Sequence, residues 1–282
     1  MTLAEFLRPF DFEFFRNGLI VATLAGALCG LVGTFVVLRG MSYIGHGLSH
    51  AIFGGFAASA LLGVNLFLGA GLWGFASALM IGSVTRRRAI GSDAAIGVIT
   101  TASFAIGLAL LKVFGSAGKN PDSYLFGNVL GVDRQQVGLV LLVTIVAGLV
   151  VFFAYRPLLF ATFDPDVADV SGVPTARIDA LLMLLLAATI LTTMNVLGVM
   201  LVAATLVIPP VVARMLTNSF SRMLLMSTAI GAASGFIGMV ASYHLDIPSG
   251  PMIVLVGTAA FAAVFAATGV KGLRNTRGLD AA

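Results

Sequence analysis

The sequence predicts an all-α integral membrane protein of about nine transmembrane helices, and three observations carry that prediction. Of its 282 residues, 59% are hydrophobic and only 10% are charged, against roughly a quarter charged in soluble domains. Its mean hydropathy is +1.05. Apolar stretches recur at about the 20 residues a helix needs to cross some 30 Å of hydrocarbon, where every backbone polar group must be bonded internally. They run the length of the chain without a long polar linker, so residues 1–282 read as a single transmembrane domain.

In chain order, residues 1–16 ("MTLAEFLRPFDFEFFR") are interrupted by acids and Pro9. They lack the basic start and apolar core of a cleavable signal and read as an interfacial segment on the outer face. Spans then follow at 17–38, 46–64, 66–85, 94–113, 137–155, 178–195, 196–213, 223–243 and 250–269, closed by a cytoplasmic tail at 270–282. An odd number puts the termini on opposite sides. With the loops after spans 1, 3, 5 and 7 and the tail inside, the cytoplasmic face carries Arg39, Arg86, Arg87, Arg88, Arg156, Arg177, Arg214, Arg222, Lys271, Arg274 and Arg277, eleven of the sixteen basic residues. The N-terminus is therefore predicted outside.

The same scatter of single basic residues argues against nucleic acid as a partner despite the net charge of +4. Cys29, the only cysteine, excludes an intrachain disulfide. "GALCGLVG" and "GAASGFIG" place small residues on one helix face, which permits close packing in lipid. Pro209 and Pro210 remove two backbone donors late in span 7, so neighbours or a cavity must satisfy the freed carbonyls.

Two connections are too long for turns. In the outer one, 115–136, the apolar "YLFGNVLGV" (124–132) is too short to span and reads as a half-helix dipping toward the membrane. In the inner one, 156–177, Asp164 is placed to cap a short helix begun by Pro165, carrying Asp166 and Asp169 and stopped by Gly172. That helix is either a solvated surface element or one that a partner protein grips.

The chemistry concentrates at "MSYIGHGLSHAIFGG" (41–55). His46 and His50 stand four residues apart, which puts both rings on one helical face. Either each ring is a packed polar group bonded to neighbouring carbonyls, or the two form a bidentate site for a transition metal, since imidazole suits Zn, Fe, Cu or Ni better than Ca or Mg. Gly47, Leu48 and Ser49 lie between them, so the glutamate base of a His-Glu-x-x-His metalloprotease is missing. The chain also has no phosphate-binding loop and hydrolyses no ATP itself. Asp93 and Asp179 fall at inner span edges and Asp246 at an outer one, leaving few intramembrane carboxylates for a proton relay. A permease powered by another chain fits this better than the alternative, a gradient-driven exporter or exchanger acting alone. His244, beside Tyr243 and Asp246, reads as an entrance residue or an ordinary interfacial one.

"LRGMSYIGHGLSHAIFGG" resembles the signature after the first helix in the permease subunits of bacterial manganese, zinc and iron ABC importers. The likeness continues through "SDAAIG", "YLFGNVLGV", "FDPDVADVSGVP", "VLGVMLVAATLVIPPVVAR" and "SGPMIVLVGTAAF", in order along nearly the whole chain. The resemblance implies a homodimeric, non-enzymatic transport subunit in the bacterial cytoplasmic membrane. It has no intrinsic cofactor, receives a divalent metal ion from an extracytoplasmic lipoprotein and is driven by two cytoplasmic ATPase subunits that bind the ATP. It also implies that the segment holding Asp164, Asp166, Asp169 and Gly172 is the ATPase-coupling helix. His50 matches the family's ligand histidine. His46 stands where the family has aspartate in "Met-Gly-Asp-x-x-Ser-His", which removes a negative charge and a hard oxygen and shifts the expected preference from Mn²⁺ toward Zn²⁺ or Fe²⁺.

Overall fold

The computed structural model describes residues 7–86, 92–114, 132–199 and 201–279. A 3₁₀ turn, Arg8–Asp11, precedes α1 (Glu13–Leu38), α2 (Ser42–Leu62), α3 (Leu66–Arg86), α4 (Ser92–Phe114), α5 (Arg134–Phe153), α6 (Tyr155–Phe163), α7 (Pro165–Val170), α8 (Thr175–Leu197), α9 (Val202–Leu216), α10 (Phe220–Leu245) and α11 (Ser249–Leu279). No strand occurs among the described residues. Each expected span centres on one of these helices. Over their apolar stretches α1, α5, α8, α10 and α11 are long and apolar enough to cross a membrane, while α3, α4 and α9 carry shorter apolar stretches.

Three boundaries differ from the sequence reading. The first helix begins at Glu13 rather than 17, because Phe15 is fully buried, edge-on to Phe10 and to Tyr243 at 5.3 Å each, and draws the chain into the bundle. Spans 6 and 7 divide at Gly198, whose φ of +81° only glycine adopts without strain, so α8 runs to Leu197 and α9 starts at Val202. The last helix continues to Leu279, through most of the segment expected as a tail, with no proline in 270–279 to stop it. The half-helix expected at 124–132 lies, apart from Val132, outside the described residues, as do Arg87 and Arg88 of the basic cluster.

The core sits along α1, which packs on α10, α9, α5 and α8, and along α2, which packs on α4, α3, α9 and α8. α5 and α11 are peripheral and turn Leu142, Phe152, Phe153 and Phe265 outward. An apolar exterior is what lipid requires, and association must then come from close packing and interhelical hydrogen bonds. The two glycine motifs meet for this purpose. A Cβ on Gly26 would collide with the Gly231 carbonyl oxygen and one on Gly231 with that of Gly26, while Gly30 faces the Ser227 carbonyl and Gly235 that of Ala22. Ser227 Oγ adds a 2.7 Å hydrogen bond to the Gly30 carbonyl. Pro210 frees the Leu206 carbonyl, four residues back, and Gly33 of α1 packs directly against that oxygen. Buried threonines return their hydroxyls to the carbonyl one turn back, as Thr34 does to Gly30 at 2.9 Å and Thr189 to Leu185 at 2.8 Å.

Candidate functional site

The local sequence of α2 explains how the histidines are presented. Glycines flank His46 on both sides. A Cβ on Gly45 would lie 3.1 Å from Leu206 Cδ1 of α9, and one on Gly47 would lie 2.7 Å from Ile96 Cγ2 and 2.9 Å from Thr100 Cγ2 of α4. Further along, Gly54 sits against the Ser103 backbone and Gly55 against Trp73 of α3. With neighbours this close on its other sides, the helix leaves one face less covered, and that face carries Tyr43, His46 and His50 at i, i+3 and i+7. Tyr43 is 51% exposed, and its ring centroid lies 6.0 Å from that of His46.

The two imidazoles converge. Their Nε2 atoms are 3.1 Å apart and the rings stand nearly perpendicular, at 83°. A hydrogen bond at that distance needs one Nε2 to carry a proton and donate and the other to accept. With both Nε2 atoms deprotonated, an ion about 2.05 Å from each would subtend an angle of about 98° across the observed 3.1 Å gap, between the ideal octahedral and tetrahedral values. Phe104 of α4 sets its edge against the His50 ring at 4.6 Å and is itself packed on Phe53, which fixes the ring plane. Ser49 Oγ donates to the His46 carbonyl at 2.8 Å. Among the described residues no group of three or more His, Cys, Asp or Glu side chains converges.

The expected cap of the connecting helix is formed as the sequence reading has it. Asp164 Oδ1 accepts from the Val167 amide at 3.0 Å, Pro165 opens α7, and Gly172, at φ +85°, ends the turn after it. Asp169 is not free on the surface, because its carboxylate accepts from Thr175 Oγ1 at 2.9 Å and ties α7 to the start of α8. Asp166 is exposed, and so are Phe163, Val167 and Val170, the last at 92%.

One cluster was not read from the sequence as a site. Arg39, counted there only as a topology charge, is 10% exposed, donates Nη1 to Asp179 Oδ1 at 2.7 Å and Nε to Thr162 Oγ1 at 3.2 Å. An arginine and an aspartate at the edges of two apolar spans were the available signal, but partners 140 residues apart cannot be matched from one sequence. The cluster joins the end of α1, the end of α6 and the start of α8 at one end of the bundle. At the opposite end Arg134 pairs with Glu13 at 2.8 Å and Tyr243 packs on Phe15. The segments grouped at each end are those the charge distribution assigns to one side. His244 lies beside Tyr243 on α10, whose packing partners are α1, α9 and α11 rather than the histidine face of α2.

Comparison with known proteins matches this fold and sequence to a single class. Residues 11–268 match the family described as ABC 3 transport family. The chain is 36% identical over 255 residues, 90% of its length and 87% of the relative's, to the manganese transport system membrane protein MntC of Halalkalibacterium halodurans. It is 34% identical over 265 residues, 94% of its length and 97% of the relative's, to a probable iron transport system membrane protein of Haemophilus influenzae. The solved structure of PsaBC from Streptococcus pneumoniae in complex with Fab superposes with a TM-score of 0.83 at 33% identity, covering 94% of this chain and 95% of that one. The chain belongs to the ABC 3 transport family and is a multi-pass membrane permease.

Proposed function

We propose that this permease carries a divalent transition-metal ion into the bacterial cytoplasm and that His46 and His50 are its transient ligands. The observation that carries the reading is the convergence of the two Nε2 atoms at 3.1 Å on the less covered face of α2. Rings that only satisfied backbone carbonyls would point apart. Relatives are named for manganese and for iron, and the choice of metal here rests with the site. Two neutral nitrogens favour Zn²⁺ or Fe²⁺ over the harder Mn²⁺. A second copy of the chain would bring a second pair and complete a four-nitrogen site, which supports the homodimer.

Energy comes from two cytoplasmic ATPase subunits, with the ion delivered by an extracytoplasmic lipoprotein. The surface of α7 supports the first of these. A solvated helix has no reason to display Val170, Val167 and Phe163 together, whereas a docking helix does. The acidic side chains Asp164, Asp166 and Asp169 flank that apolar patch, and Gly172 holds the turn that returns the chain to α8. With α7 cytoplasmic, nine crossings place the N-terminus outside and the C-terminus inside.

The test is ATP-dependent uptake of Mn²⁺, Zn²⁺ and Fe²⁺ in competition by the reconstituted complex, beside His46→Asp. We expect Zn²⁺ or Fe²⁺ to win in the wild type and the aspartate variant to move toward Mn²⁺ by about tenfold or more. Unchanged selectivity removes position 46 from metal choice, and flux driven by a pH gradient without any ATPase overturns the importer.

A further inference from the structure

We infer that Arg39 is the positioning residue that carries movement of the coupling segment to the histidine helix. This rests on the reading of α7 as the ATPase contact. The coupling helix is flanked in sequence by Thr162 at the end of α6 and by Asp179 in the second turn of α8, and Arg39 is bonded to both, at 3.2 and 2.7 Å. The two flanks are tied to the helix itself. Thr162 is two residues from the Asp164 cap, and Thr175, at the head of α8, donates to Asp169 at 2.9 Å. A rigid displacement of α7 therefore pulls on one or both partners of a single guanidinium.

What Arg39 does with that pull follows from its place in the chain. It caps the C-terminus of α1, and α2 starts three residues later. The joint is stiff: the Arg39, Gly40 and Met41 amides bond to the Phe35, Val37 and Val36 carbonyls at 3.0, 3.1 and 2.9 Å, and the Ile44 amide bonds to the Met41 carbonyl at 2.9 Å. Gly40 takes the left-handed conformation, φ +67°, that this closure needs. His46 lies seven residues beyond Arg39, less than two helical turns into α2. A pull on the guanidinium therefore reaches the joint from which the ligand helix starts.

The pair also has room to rearrange. Arg39 Nη2 is buried without an acceptor among the described residues, so one donor of the guanidinium is unspent in this arrangement. On the α3 side, Asp179 borders a cavity of about 180 Å³ together with Gly82, Ser83 and Met183. A half-buried ion pair beside a cavity, with one guanidinium donor unspent, has the makings of a two-state element.

The experiment uses the complete complex in proteoliposomes and measures ATP-driven Zn²⁺ and Mn²⁺ uptake, ATP hydrolysis by the same vesicles, and equilibrium binding of both ions. For Arg39→Gln we expect uptake to fall about tenfold while hydrolysis and ion binding change by no more than roughly twofold, an uncoupling that simple misfolding does not produce. Arg39→Lys, which keeps the charge on Asp179 but loses the planar fork, should recover part of the uptake. Uptake at the wild-type level, or uptake and hydrolysis falling in proportion, overturns the inference. Should Arg39→Gln fail to give a monodisperse complex, Thr162→Val decides, because it removes only the hydroxyl at nearly constant volume. An unchanged ratio of ions moved to ATP hydrolysed in that variant overturns the inference, and a lowered ratio supports it. Val170→Asp separates this from the underlying reading: wild-type hydrolysis and uptake there would show that α7 is not the ATPase contact, whatever Arg39 does.

Discussion

The seam between α1 and α10 and the face of α2 that bears the histidines are both built on glycine, and they use it in opposite ways. In the seam, Gly26 and Gly231 oppose each other across the contact, each occupying the volume the other's Cβ would need, so two backbones touch and no side chain intervenes. In α2, Gly45 and Gly47 let neighbours close on the sides of the helix away from the rings, which leaves His46 and His50 on the face between. The first arrangement has no slack and the second directs its slack to one place. On the proposed function, a permease needs a frame that keeps its shape while a path opens beside it, and glycine would serve both needs.

The largest effect should come from filling the seam. In Gly231→Leu the new side chain would have to push α1 and α10 apart along a contact where packing itself holds the helices together. Overpacking a close-packed site costs about 1–3 kcal/mol when neighbours can shift, and backbone cannot shift here without moving a whole helix. We expect little or no monodisperse protein by size-exclusion chromatography in detergent, and none that transports. A well-folded, active Gly231→Leu protein would show that the seam has slack after all.

The converse variant, His50→Ala, should leave the frame intact and empty the path. It removes one of two converging nitrogens and the edge contact with Phe104. The lost ring contact is worth about 1 kcal/mol, so thermal stability falls little. Metal uptake by the reconstituted complex should fall at least about tenfold, because a lone imidazole cannot hold the ion as a chelating pair does. Wild-type uptake with normal expression removes His50 from the path.

The legible parts of the molecule were the local ones. Hydropathy placed the helices, because an apolar run is a property of neighbours in sequence. The i, i+4 spacing of His46 and His50 and the Asp164, Pro165 and Gly172 signals of α7 were readable for the same reason. Both glycine motifs stood out as small faces, but nothing in either said that it meets the other, since each small face is compatible with any helix. The Arg39–Asp179 pair was hidden by the same non-locality, and so was Phe104, one of many phenylalanines until α4 sets it against His50. The helix boundary at Gly198 was missed because the hydropathy is continuous there, and only the +81° φ marks the break.

The smallest effect sharpens the comparison most. Ser227 is the polar member of the seam, with its hydroxyl 2.7 Å from the Gly30 carbonyl. That carbonyl also accepts from Thr34 at 2.9 Å, so removing Ser227 Oγ leaves the oxygen bonded. Ser227→Ala keeps the Cβ, introduces no clash and deletes one interhelical hydrogen bond, a class worth about 0.6 kcal/mol on average inside membranes. We expect a stability loss of about that size by thermal denaturation in detergent, with ATP-driven uptake unchanged. The ratio of this effect to that of Gly231→Leu measures what holds α1 to α10. If Ser227→Ala proves as damaging as the glycine substitution, the seam depends on its hydrogen bond. If it is nearly silent, the seam depends on the missing Cβ atoms, which is the physics that a lipid solvent favours.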